Sequence, residues 1–121
     1  MSTQERPWPE EIKLDLQNAT LDVRFDNGEA FKLGAEYLRV YSPSAEVRGH
    51  GAEKPKAVGG KRHVKIKDMK AIGNYAVRLL FDDGHDTGLY SWDYLYELGK
   101  DREKLWALYV ERLSAEGGRR D

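Results

Sequence analysis

NYAVRLLFDDGHDTGLYSWDYLYEL, residues 74–98, decides the fold of this 121-residue chain. Tyr75, Val77, Leu79 and Phe81 alternate with Ala76, Arg78 and Leu80, a period of two that predicts a half-buried strand with the aromatic and branched side chains on one face. Asp83-Gly84 offers the positive-φ residues a two-residue hairpin turn needs, so the chain is expected to reverse there and return through His85 to Tyr90. Ser91 then caps a helix whose Trp92, Leu95 and Tyr96 recur at helical spacing, with Asp93 in the first turn and Gly99 as the stop.

Upstream, the chain echoes this pattern. Ile12, Leu14 and Leu16 form a first alternating strand, and Leu21, Val23 and Phe25 a second. Asp26-Asn27-Gly28 marks a turn into a strand over 29–33, and residues 34–40 read as a short helix that Pro43 interrupts or restarts through Val47. Phe25-Asp26-Asn27-Gly28 matches Phe81-Asp82-Asp83-Gly84, Leu33 matches Leu89, and one residue of slippage brings Tyr37-Leu38 onto Tyr94-Leu95. Two hairpin-plus-helix units are thus expected, although coincidence of turn chemistry stands beside duplication as an explanation. A last helix follows Asp101, its apolar stripe made of Leu105, Trp106, Tyr109 and Leu113, and ends at Gly117-Gly118.

The expected fold class is α+β, with small antiparallel sheets built from the two units and a C-terminal helix. Residues 1–9 read as a flexible arm with Trp8 docking on the body, 10–116 as a single domain, 48–63 as a mobile loop and 117–121 as a disordered tail.

Twenty basic residues against 21 acidic ones give no global attraction to nucleic acid or membrane. The absence of cysteine excludes disulfides, thiolate catalysis and Cys-ligated metal. No apolar run reaches the roughly 20 residues of a membrane span, and Met1 to Glu11 has no signal-peptide character, so a cytoplasmic location is expected. Charge is nonetheless uneven: between Arg48 and Lys70 eight basic residues face two acids. Lys54, Lys56, Lys61, Arg62 and Lys65 are the candidate anion-binding set, against the plainer reading of a strand edge guarded by lysines.

Catalytic patterns are thin. There is no nucleophile elbow, phosphate-binding loop, dinucleotide fingerprint or H-E-x-x-H zinc motif. His85 between Asp83 and Asp86 could support acid–base or weak metal chemistry, and a two-histidine iron site would have to recruit His50 or His63. Aromatic residues are dense after each hairpin. Those with a wet polar end suit a protein-binding patch near Trp92, for which Tyr90, Tyr94 and the neighbouring Arg39 are the candidates, while Trp92 itself is expected in the core.

Two blocks carry a family resemblance: residues 35–47, with Leu38-Arg39 and Ser42-Pro43-Ser44-Ala45-Glu46, and residues 73–92, with Asp82-Asp83-Gly84-His85, Gly88, Tyr90 and Trp92. The chain, over about residues 10–98, resembles the bacterial family of unknown function named for its similarity to the N-terminal domain of gamma-butyrobetaine hydroxylase. The resemblance implies a domain that, in the hydroxylases, precedes the catalytic barrel and carries a structural zinc on three cysteines and one histidine. Those positions fall here on Ser42, Ser44, Val47 and His85, so three ligands are missing and no metal or cofactor is expected. Relatives fused to ATPases of the iron–sulfur carrier type imply a role beside cluster assembly or as a docking module. The expected function is a non-catalytic binding or adaptor module with a protein partner, with anion or nucleic-acid binding through 48–70 as the alternative and a weak metal site at His85 as the second.

Overall fold

The computed structural model describes residues 7–43 and 57–121. Its elements are β1 (Pro9–Asp15), β2 (Thr20–Phe25), β3 (Ala30–Gly34), α1 (Ala35–Val40), β4 (Ile66–Ile72), β5 (Ala76–Phe81), β6 (Leu89–Ser91), α2 (Trp92–Lys100) and α3 (Arg102–Ala115). β1-β2-β3 and β4-β5-β6 form two three-stranded antiparallel sheets, each followed by a helix. The α+β class with a C-terminal helix is as expected.

The two units correspond bond for bond. Gly28 and Gly84 take positive φ, and their amides donate to the carbonyls of Phe25 and Phe81 at 3.1 and 3.2 Å. The Phe25 and Phe81 amides donate in turn to Glu29 and His85, closing three-residue loops with one left-handed glycine rather than the two-residue turn expected from Asp83-Gly84. Asp26 and Asp82 each accept, on the side chain, from the residue before their sheet's first strand, Trp8 and Lys65, at 3.1 and 3.0 Å. The same two aspartates donate their own amides to the carbonyls of those residues. A register shift follows in both first strands, between Pro9 and Glu11 and between Ile66 and Asp68. Four consecutive features at matched places go beyond what any hairpin needs, and they favour duplication over coincidence.

One match moves. Leu21 pairs with Leu33, whereas Val77 pairs with Tyr90, so the extra residue of the second unit lies before β6 and Leu33 corresponds to Tyr90, not to Leu89. Burial agrees, because Leu33 and Tyr90 are both fully buried while Leu89 is exposed.

Leu21, Val23, Phe25, Leu33 and Leu38 from the first unit and Ile66, Val77, Leu79, Phe81, Tyr90, Leu95 and Leu98 from the second make one continuous core. Tyr75 is not part of that inward face. The β4–β5 connection occupies Gly73 to Tyr75, so Tyr75 sits in the turn and is 53 % exposed. Val40, Tyr109 and Leu113 form a smaller cluster that seats α3.

Ser91 caps α2 as expected, its hydroxyl accepting from the Tyr94 amide at 3.2 Å. Gly99 does not end that helix. It lies inside it, where a Cβ would collide with the Phe31 ring, so glycine is required by packing. Asp101 precedes α3 without a side-chain cap bond.

Two segments expected to lack order are bonded to the body. Part of the 48–63 loop lies outside the described residues, but Ala57 donates its amide to Glu116 and the Val58 carbonyl accepts from the Tyr109 hydroxyl. Gly60 and Arg62 donate to the carbonyls of Arg119 and Arg120, which draws in the tail that composition alone left loose.

Candidate functional site

Each unit ends in a helix whose final carbonyls have no partner within the helix. The other unit supplies the donors. The Tyr37 hydroxyl donates to the Leu98 carbonyl at 2.7 Å and, at the matched place, the Tyr94 hydroxyl donates to the Tyr41 carbonyl at 2.5 Å. Burial pushes the Tyr37 phenol far above its usual pKa, so it remains a donor at any working pH.

The residue after each turn also crosses to the other unit. Glu29 accepts from the Tyr96 hydroxyl and from Lys100 Nζ at 3.1 Å, while Tyr96 accepts from Asn27 at 3.2 Å. In the second unit His85 takes the place of Glu29, and its Nε2 lies 2.8 Å from Ser42 Oγ. Gly88 makes that approach possible, since a Cβ there would collide with the Ser42 hydroxyl.

Asp83 is the hub of this junction. Its carboxylate accepts from Arg39 Nε at 2.8 Å, from Lys61 Nζ at 2.5 Å and from the His85 amide at 3.1 Å. Burial raises its pKa, but the bonds from Lys61, from the His85 amide and from Arg39, with the Arg39 charge, outweigh burial and hold the carboxyl at about 2. Arg39 is 11 % exposed at the side chain, and its Nη1 is buried without a hydrogen-bond partner.

Ser42 and His85 thus meet, although 43 residues apart, as the resemblance implied. Ser44 and Val47 lie outside the described residues. Zinc does not fit this donor set: a neutral hydroxyl stands where a thiolate would, and no group of three or more His, Cys, Asp or Glu suited to a metal exists among the described residues. A serine 2.8 Å from a histidine has the spacing of a nucleophile and its base. Here both are buried, at 4 % and 9 % exposed, and Asp83 bonds to the backbone amide of His85.

The candidate partner contacts are redistributed. Tyr90 is fully buried, its hydroxyl donating to the Leu38 carbonyl at 2.5 Å, so it is a core residue and not a docking residue. Tyr94 is half-buried and Arg39 paired, both serving the junction. Of the candidate anion-binding set, Lys54 and Lys56 lie outside the described residues, Lys61 pairs with Asp83, Arg62 pairs with Asp121 at 3.2 Å, and Lys65 is exposed.

A second aromatic site gathers around Trp92, where Trp8 docks, and its exposed member Tyr75 is the one sequence reasoning puts in the core. Trp8 is half-exposed and meets Trp92 edge-on at 6.3 Å between ring centroids. With Pro7, Tyr75, Ser91 and Asp93 they line a cleft of about 310 Å³. Trp92 is held by its indole N–H, which donates to the Asn74 carbonyl at 2.7 Å. The turn signal Gly73-Asn74 was the clue that Tyr75 begins outside the strand.

Comparison with known proteins agrees with this architecture. A family profile described as gamma-butyrobetaine hydroxylase-like, N-terminal, matches residues 12–96. The search of curated proteins gives no match. Two solution NMR structures are 45 % and 49 % identical with TM-scores of 0.82 and 0.81. They cover 95 % and 99 % of this chain and 90 % of their own. A crystal structure of a protein of unknown function from Acidithiobacillus ferrooxidans, assigned to the DUF971 family, is 35 % identical with a TM-score of 0.64, covering 75 % of this chain and 91 % of its own. The chain belongs to the gamma-butyrobetaine hydroxylase-like N-terminal family.

Proposed function

We propose that this domain is a non-catalytic binding module that docks on another protein through the aromatic surface of Trp8, Tyr75 and Trp92. The observation that carries this reading is the contrast between the two sites. Ser42, His85, Asp83, Arg39 and Lys61 are bonded to one another inside the junction between units, whereas two large aromatic side chains stand half-exposed around an open cleft. Tyrosine and tryptophan give much contact area for little lost rotamer freedom, which is why binding hot spots favour them.

Tyr75→Ala is expected to weaken capture of the native partner by at least about tenfold, as loss of a hot spot does, while the melting temperature stays unchanged. Quantitative co-purification from the native cell measures the first and a thermal melt the second. Equal capture by wild type and variant would move the binding surface elsewhere. A partner in iron–sulfur assembly is the setting the family resemblance suggests, and the identity of the captured protein tests it. No helix among the described residues is long and apolar enough to cross a membrane.

Anion binding is the second reading, resting on Lys65 and on the lysines outside the described residues. It requires retention on heparin that falls steeply with salt, and elution at low ionic strength counts against it. Metal independence belongs to the proposal as well. EDTA should leave the melting temperature unchanged and elemental analysis should find no stoichiometric zinc, because a hydroxyl–imidazole pair lacks the thiolates that supply most zinc affinity.

A further inference from the structure

Residues 117–121 do more than end α3. Gly117 at φ +78° turns the chain back, and the segment beyond it runs beside residues 59–62. Gly60 N donates to the Arg119 carbonyl at 2.8 Å and Arg62 N to the Arg120 carbonyl at 2.9 Å. Gly59 admits this approach, since a Cβ there would stand 2.6 Å from the Arg119 carbonyl oxygen. Arg120 then forks onto Glu36, Nε to Oε2 at 2.9 Å and Nη2 to Oε1 at 2.8 Å, with its guanidinium 5.2 Å from the Trp106 ring centroid. Asp121 completes the set by accepting from Arg62.

Main-chain pairing, a bidentate carboxylate fork and an aromatic face are the three devices by which proteins recognise an extended arginine-bearing peptide. The receiving side is fixed independently of the tail. The Val58 carbonyl accepts from Tyr109, the Ala57 amide donates to Glu116, and Glu36 and Trp106 stand on different helices. We propose that Glu36, Trp106 and the 59–62 backbone form a recognition groove for a protein segment carrying arginine followed by an acidic residue, and that Arg119-Arg120-Asp121 fills this groove in cis until such a segment replaces it.

Replacement is within reach. The Arg62–Asp121 pair is solvent-exposed, and exposed pairs contribute little. A cleft of about 270 Å³, lined by Gly34, Tyr37, Arg102 and Glu103 together with Glu36 and Trp106, continues the groove and offers a longer segment contacts that the tail does not make. This groove shares no residue with the Trp8–Tyr75–Trp92 cleft, so either site can fail without the other.

The test uses the full chain and the synthetic peptide Gly-Gly-Arg-Arg-Asp. Arg120→Ala should free Glu36 and the Trp106 face, leaving only the tail's main-chain bonds and Asp121 for the peptide to displace. It should bind the peptide at least about tenfold more tightly than wild type, the cost of the cis competitor. Adding Glu36→Gln should abolish the gain, and Gly-Gly-Ala-Ala-Asp should not bind either protein. In the wild type, excess peptide should shift the Arg120 Nε–H NMR resonance to its free position, a readout that needs no substitution. Equal affinity for wild type and Arg120→Ala, binding of the alanine peptide, or an Arg120 resonance unmoved by saturating peptide would each overturn the proposal.

Discussion

Phe81→Ala is expected to lower the free energy of unfolding by about 3–5 kcal/mol, the range for removing a buried aromatic ring, and Phe25→Ala should cost a similar amount. Both rings are essentially fully buried, and both residues close an Asx-Gly loop through their own amide and carbonyl. The backbone bonds survive the substitution, so the loss reports packing alone. Urea titrations of the two variants provide the measurement. A midpoint unchanged from wild type in either would remove that residue from the core.

Replacing Asp83 with asparagine should cost about 2–4 kcal/mol at neutral pH, because it leaves Arg39 largely buried without its counter-charge. The range sits below that of a fully buried pair, since Asp83 and Lys61 each keep a fifth of their side-chain surface exposed. The effect carries a pH signature. Asp83 ionises at about 2 in the folded protein against 3.8 when unfolded, so between those values the unfolded chain binds the extra proton and stability rises with pH. Its contribution of about 2 kcal/mol, following from that shift, is complete above about pH 4 and is lost as pH falls through the folded value. The stability difference between wild type and Asp83→Asn should therefore narrow from pH 4 to pH 2, as followed by denaturant titration at each pH. A difference that stays constant across that window would mean the carboxylate charge is not what holds the junction.

How much of this was legible beforehand depends on whether the deciding interaction was local. The places of the Asx-Gly turns, the alternation in β2 and β5 and the Ser91 cap are written within a few residues and are legible there, whereas the three-residue length of the loops is not. Tyr75 falls in the turn rather than in the strand because alternation gives parity but not where a strand begins, and the length of the Gly73–Tyr75 turn sets that. Gly99 carried a helix-stop signal while its real constraint was the Phe31 ring, more than 60 residues away. The tail had nothing to bury, and its order comes from backbone pairing and a fork onto Glu36 that no composition reveals. The Ser42–His85 contact was foreseen only through the family resemblance, and the hub role of Asp83 was not foreseen, because its partners Arg39 and Lys61 come from two separate segments.

The reciprocal tyrosine bonds bear on how the chain folds. Tyr37 to Leu98 spans 61 residues and Tyr94 to Tyr41 spans 53, so each helix end is completed only when the chain has closed a loop of about half its length. Loops of that size are entropically expensive to close before other contacts reward them. A half-chain would leave its own helix carbonyls bare and its share of the core open to water. Folding should accordingly cross a single late barrier with no half-folded species, and amide protons in β2 and β5 should exchange with the same opening free energy, through the same global opening.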